Sequence, residues 1–209
     1  MTGMRLPAKF DWRSLPSGFI AVFLVAVVIE FNPGWRDVLI YDRHAVMLGE
    51  LWRMWTGHLV HFGWPHLVAD AGLLVILGWP LGQKHRQFSW LALFLMPPFI
   101  SGVLLWLDPG MTRYAGLSAV DLGLLLFLAA KGWQQDWTDW FWPAVLAIYV
   151  AEVVLEIANG GRGGGMIQFD DPSVKVATSA HIAAAAYALL AWAAGRFCQR
   201  AMGQPKPTV

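Results

Sequence analysis

Six apolar stretches restrict the fold of this chain more than any other feature in it. They run over residues 16–32, 62–82, 88–107, 115–130, 140–158 and 178–196. At about 1.5 Å per helical residue, roughly 20 residues cross the hydrocarbon core of a bilayer. Backbone inside lipid must satisfy its own hydrogen bonds, so each stretch is expected to be a helix. The fourth is short and is expected to start below the membrane surface. Composition points the same way: 57% of residues are hydrophobic and 14% are charged, against about 25% charged in a soluble domain. The expected class is an all-α, polytopic membrane protein with six transmembrane helices.

The remainder of the chain fits that class. Residues 1–209 read as a single membrane domain with short cytoplasmic tails at 1–15 and 197–209. Arg5, Lys9 and Arg13 precede the first apolar stretch, as in a signal peptide. No small-x-small cleavage site follows it, only "EFNPGWRD", so a retained anchor is expected. The segment between the first two stretches is too polar to span, and its Trp and Tyr residues suit a membrane interface. Pro97 and Pro98 should kink the third helix. "NGGRGGG" (159–165) reads as a flexible loop. The single cysteine, Cys198, offers no disulfide, metal or redox motif. A formal net charge of +1 gives no reason to expect a nucleic-acid partner. Lipid bilayer and other membrane proteins are the expected surroundings.

Charge sets the orientation. With a cytoplasmic N-terminus, the inner segments hold Arg5, Lys9, Arg13, Lys84, Arg86, Lys131, Arg196, Arg200 and Lys206. The outer ones hold Arg36, Arg43, Arg53, Arg113, Arg162 and Lys175. That is nine cations against six, as the positive-inside rule requires. The resulting N-in, C-in topology is that of an integral protein of a bacterial inner (cell) membrane. It places His61, His66 and Asp70 on the outer half of the second helix. Ser118 falls in the first turn of the fourth helix, and His181 in the first turn of the sixth. Three helices thus bring a hydroxyl, imidazoles and donor groups to one depth near the outer face.

Such a set allows nucleophilic chemistry. A serine attacks when a base accepts its proton. Unpaired N–H groups at a helix N-terminus can stabilise the oxyanion that forms. His66 and Asp70, four residues apart, share a helix face. Asp121 lies one turn deeper than Ser118 on the same face. A lone carboxylate at membrane depth costs several kcal/mol. Asp121 therefore either orients His181 or is a neutral acid bonded to a neighbouring helix.

Four motifs, in order, resemble those of rhomboid-family intramembrane serine proteases. "GELWRMWTGH" (49–58) is similar to the family's Trp-Arg loop motif, at Trp52 and Arg53. "HFGWPHLVAD" (61–70) is similar to its His-x4-His-x3-Asn pattern. "GLSA" (116–119) is similar to Gly-x-Ser-Gly, and "AHIAAAAYA" (180–188) to Ala-His-x2-Gly-x3-Gly. The short chain and the "WRMWTGHLVH" wording most resemble the rhombosortase branch. That branch is thought to process bacterial surface proteins with a C-terminal Gly-Gly motif, a transmembrane helix and a basic tail. The chain departs from the family at Ala119, Asp70, Ala184 and Ala188. The two alanines keep a small-xxx-small face that permits close helix approach.

The resemblance implies a rhomboid-like six-helix bundle and an endopeptidase cutting transmembrane segments of other membrane proteins. It implies Ser118 as nucleophile and His181 as general base, without a required third member, metal or other cofactor. It assigns His66, Asp70 and Gly116 to the oxyanion and substrate site and His61 to a structural bond in the loop; Asp70 would act there either as a protonated donor, which burial favours, or as a charged partner of His66. Two rivals stand beside it. One is an inactive rhomboid-like protein that binds membrane clients. The other is a metal or haem protein ligated by His58, His61, His66 and His181.

Overall fold

The computed structural model describes residues 16–138, 140–158 and 177–201. The tail 1–15, the glycine-rich loop 159–165, and the charges at Asp139, Arg162, Lys175 and Lys206 lie outside the described residues. Long helices lie over all six apolar stretches: α1 (Ser17–Glu30), α5 (Trp64–Lys84), α6 (Arg86–Leu107), α7 (Ser118–Gln135), α8 (Phe141–Ala158) and α9 (Thr178–Ala201). The last of these runs past residue 197, where a tail is expected. Short elements fill the loops: α2 (Arg36–Leu39), β1 (Tyr41–Asp42), α3 (Arg43–Met47), α4 (Arg53–Thr56) and β2 (Arg113–Tyr114), with 3-10 turns at 33–35 and 57–59.

Among the described residues, α5 and α6 are each long and apolar enough to cross a bilayer. A third candidate joins α1 to residues 33–39 across a 101° bend. Two or three candidate spans thus stand where six are expected. The other helices fall short for identifiable reasons. α7 carries Asp121 and Lys131, the apolar part of α8 is Phe141–Leu155, and α9 carries Thr178, Ser179, His181 and Arg196.

α7 occupies the centre. Its residues are buried almost without interruption from Ala119 to Ala129, the signature of a helix enclosed on all sides. Small residues let its neighbours approach. A Cβ on Gly123 would lie 2.8 Å from the Met96 sulfur and 3.1 Å from the Ala184 carbonyl oxygen. Ala180, Ala184 and Ala188 are fully buried on the facing side of α9. α1 fits against α5 in the same way, with the Phe19 ring in the notch at Gly78.

The loop between α1 and α5 is built by long-range bonds. Arg53 is buried and donates to the carbonyls of Asp37 and Ile40 at 2.8 and 2.9 Å, and to Glu50 at 2.6 Å. β1 pairs antiparallel with β2, Tyr41 opposite Tyr114, which fastens this loop to the segment leading into α7. α6 runs unbroken through Pro97 and Pro98. Pro98 has no N–H to offer the Phe94 carbonyl, and the Trp55 indole donates to it instead at 2.8 Å.

Gly57 is where loop and strand meet most tightly. A Cβ there would stand 2.6 Å from the Tyr41 backbone nitrogen, an atom that cannot rotate away. Gly57→Ala is expected to cost about 1–3 kcal/mol, the usual penalty of overpacking, read as a lower unfolding temperature in detergent. An unchanged temperature would show that the loop yields.

Candidate functional site

Gly116 prepares the start of α7. Its φ is +108°, a conformation that favours glycine. A Cβ there would also meet His66 Nε2 at 2.9 Å and Asp70 Oδ2 at 3.1 Å. The Tyr114 hydroxyl donates to the Gly116 carbonyl at 3.0 Å, and burial pushes that phenol's pKa up. With this turn in place, the first N–H groups of α7 point at α5.

What they meet there is a carboxylate. Asp70 Oδ2 accepts from the Leu117 N–H at 2.9 Å and the Ser118 N–H at 3.1 Å. His66 Nε2 lies 3.1 Å from the same oxygen, and His61 Nε2 lies 3.7 Å from it. The tautomers follow from the other ring nitrogens. The Phe62 N–H donates to His66 Nδ1 at 3.2 Å, so a neutral His66 carries its proton on Nε2, facing Asp70. His61 Nδ1 lies 3.1 Å from the Leu59 carbonyl, which accepts only, so that nitrogen carries the proton. Neutral His61 then presents a bare Nε2 towards Asp70.

Three donors therefore converge on one point beside Ser118, at the 2.7–3.1 Å spacing typical of oxyanion stabilisation. The chain's own carboxylate oxygen occupies that point. Asp70 Oδ2 accepts here, because a helix N-terminus supplies hydrogens rather than lone pairs.

Ser118 is half-buried at the first position of α7, and His181 is buried in the first turn of α9. α7 and α9 pack against each other. Neither ring nitrogen of His181 has a hydrogen-bond partner, so no such bond joins His181 to Ser118. Ser179, two residues earlier, donates to Asp108 at 2.6 Å and ties the start of α9 to the loop after α6. Asp121 is fully buried, and neither of its oxygens has a partner. Among the described residues there is thus neither an Asp121–His181 bond nor a bond from Asp121 to another helix.

One participant carries no motif. Tyr149 on α8 donates to the Ser118 carbonyl at 2.6 Å. Its ring meets the His181 ring edge-on, with centroids 6.5 Å apart. The only signal in the sequence is a lone tyrosine in an apolar helix. His58, which closes the Trp-Arg loop motif, has a structural place. It is fully buried, with Nε2 3.1 Å from the Pro97 carbonyl and 3.2 Å from Ser101 Oγ, which itself donates to Met54. It links the loop to α6. Among the described residues no group of three or more His, Cys, Asp or Glu side chains is arranged to hold a metal. His85 is half-buried against the Phe127 ring.

Burial holds the pKa of His58 down to about 4. It does the same to His61, also to about 4, while the Asp70 carboxylate pulls the other way. An unfolded chain would protonate both near the ordinary value of about 6.5. Between these values the unfolded state binds protons that the folded state does not, so stability falls as pH drops from about 6.5 to about 4. Thermal unfolding across that window is expected to show proton uptake, with about two protons of it contributed by His58 and His61. His58→Gln, which retains a donor, should reduce the uptake by about one. A flat profile would contradict the neutral, buried assignment.

A sequence profile of the Rhomboid domain matches residues 48–197. The match begins just before the Trp52-Arg53 loop and ends in α9, so it encloses every site residue described above. No curated protein matches the chain.

Proposed function

Because the chain belongs to the rhomboid family, whose members are often intramembrane serine proteases, we propose that it is an intramembrane serine endopeptidase acting on transmembrane segments of membrane-anchored proteins. The candidate membrane helices and the family together make it an integral membrane protein with membrane-protein substrates. Its fold is a six-span bundle formed by the single domain 1–209, N-in and C-in, with the site towards the outer face. The observation that carries the reading is the convergence of the Leu117 and Ser118 N–H groups and His66 Nε2 on one point beside the Ser118 side chain.

In this mechanism Ser118 Oγ attacks the scissile carbonyl while His181 takes its proton. The carbonyl oxygen becomes an oxyanion held by the Ser118 N–H and His66. Collapse of the intermediate breaks the peptide bond, and His181 returns the proton to the leaving amine. Water, activated by His181, then hydrolyses the Ser118 ester. His181 must turn towards Ser118 when substrate arrives, since no bond holds it there beforehand. Asp70 has to release the oxyanion point as the substrate oxygen enters. An ionised carboxylate there would repel the oxyanion. A side-chain amide could keep the Leu117 bond through its oxygen and turn its N–H groups to the intermediate.

The rhombosortase-like motifs favour substrates bearing a C-terminal Gly-Gly motif, a transmembrane helix and a basic tail. The second reading, a client-binding protein that does not cut, is favoured by the occupied oxyanion point. A serine-directed fluorophosphonate probe separates the two. The wild-type protein is expected to be labelled, Ser118→Ala to be unlabelled, and His181→Ala to lose at least about 100-fold in rate, as removal of a general base does. Asp70→Asn is expected to be labelled about tenfold faster than the wild type, the effect of one charge-assisted contact. An inert wild-type protein would support the non-cutting reading.

A further inference from the structure

Ser118 receives polar contacts from two other helices. One is Asp70 on α5, described above. The other is Tyr149, which reaches both Ser118 and His181. We propose that Tyr149 is a positioning residue for the Ser118–His181 reaction, an inference that rests on the serine-protease reading.

Its two ends act on different partners. The hydroxyl donates to the Ser118 carbonyl at 2.6 Å. A carbonyl oxygen has two lone pairs, so this bond adds to the helical one rather than displacing it. It fixes the plane of the 118–119 peptide, and through it the direction in which the Ser118 side chain leaves the backbone. The phenol ring meets the His181 ring at 70° and 6.5 Å, within the range of edge-to-face aromatic contacts. His181 has no hydrogen bond on either nitrogen, so packing alone sets its ring orientation. Leu122, one turn after Ser118 on α7, is aliphatic and offers no aromatic face. Tyr149 supplies one from α8. A single side chain on a third helix thus holds the nucleophile's backbone and flanks the base.

A residue that only pinned α8 to α7 would show the same hydroxyl bond. The two roles differ in what the ring does, so two substitutions separate them. Tyr149→Phe keeps the ring and loses the hydroxyl; Tyr149→Leu loses both. The measurement is the second-order rate of fluorophosphonate labelling as a function of pH, on the purified full chain in detergent, with unfolding temperature recorded for each variant.

Tyr149→Phe is expected to slow labelling by about threefold to tenfold, the effect of one hydrogen bond, with the midpoint of the pH profile unchanged. Tyr149→Leu is expected to slow it by about a further threefold to tenfold and to move the midpoint, because the base has lost its aromatic neighbour. Wild-type rates in both variants would overturn the proposal. So would losses that merely follow a lower unfolding temperature at an unchanged midpoint. A wild-type protein that takes no label would overturn the serine-protease reading, and this role with it.

Discussion

A helix that begins inside a protein must hand its first N–H groups to an acceptor, and α7 hands two of them to Asp70. The neighbouring features take their positions from this contact. Gly116 turns with a positive φ so that these N–H groups face α5, and its missing side chain leaves room for His66 and Asp70. His66 is held in one tautomer by the Phe62 N–H and turns its other nitrogen to the same carboxylate. The β1–β2 pair brings the loop between α1 and α5 against the segment that makes the turn. The same geometry that caps the helix also forms a point of high donor density next to a serine. Cap and candidate oxyanion site are one set of hydrogens.

Close helix approach makes this arrangement possible. Apolar side chains gain little by leaving lipid for one another, so packing there depends on small residues and shape. Gly123 meets the Ala184 carbonyl, and Gly78 receives the Phe19 ring. α7 is thereby surrounded, and its first turn is presented to three helices at once. α5 contributes Asp70 and His66, α8 contributes Tyr149, and α9 contributes His181. Polar groups that would be costly one by one in lipid are gathered at one end of the enclosed helix.

The sequence made part of this legible. The six long helices follow the apolar stretches to within a few residues, because burial in lipid or core demands continuous apolar runs. The short elements of residues 33–59 were not legible. They depend on bonds to distant carbonyls, such as Arg53 to Asp37 and Ile40 and His58 to Pro97, which no local pattern announces. At the site, the positions of Ser118, His66, Asp70 and His181 were legible as motifs on three helices. The accepting role of Asp70 was not, since only the geometry of the α7 N-terminus decides which partner donates. Tyr149 was invisible for the opposite reason: its helix carries no motif, and its value lies entirely in what it touches. Asp121, conspicuous in the sequence, is buried without a hydrogen bond, and the structure gives it no partner to explain it.

The central claim is that Ser118 cuts peptide bonds within membrane-anchored chains. The most direct measurement is the intact mass of a single-span substrate carrying a C-terminal Gly-Gly motif, a transmembrane helix and a basic tail. It is incubated in proteoliposomes with the wild-type protein or with Ser118→Ala. The account predicts a shorter product of defined mass with the wild-type protein and only intact substrate with Ser118→Ala. The same product from both, or intact substrate from both, would contradict it.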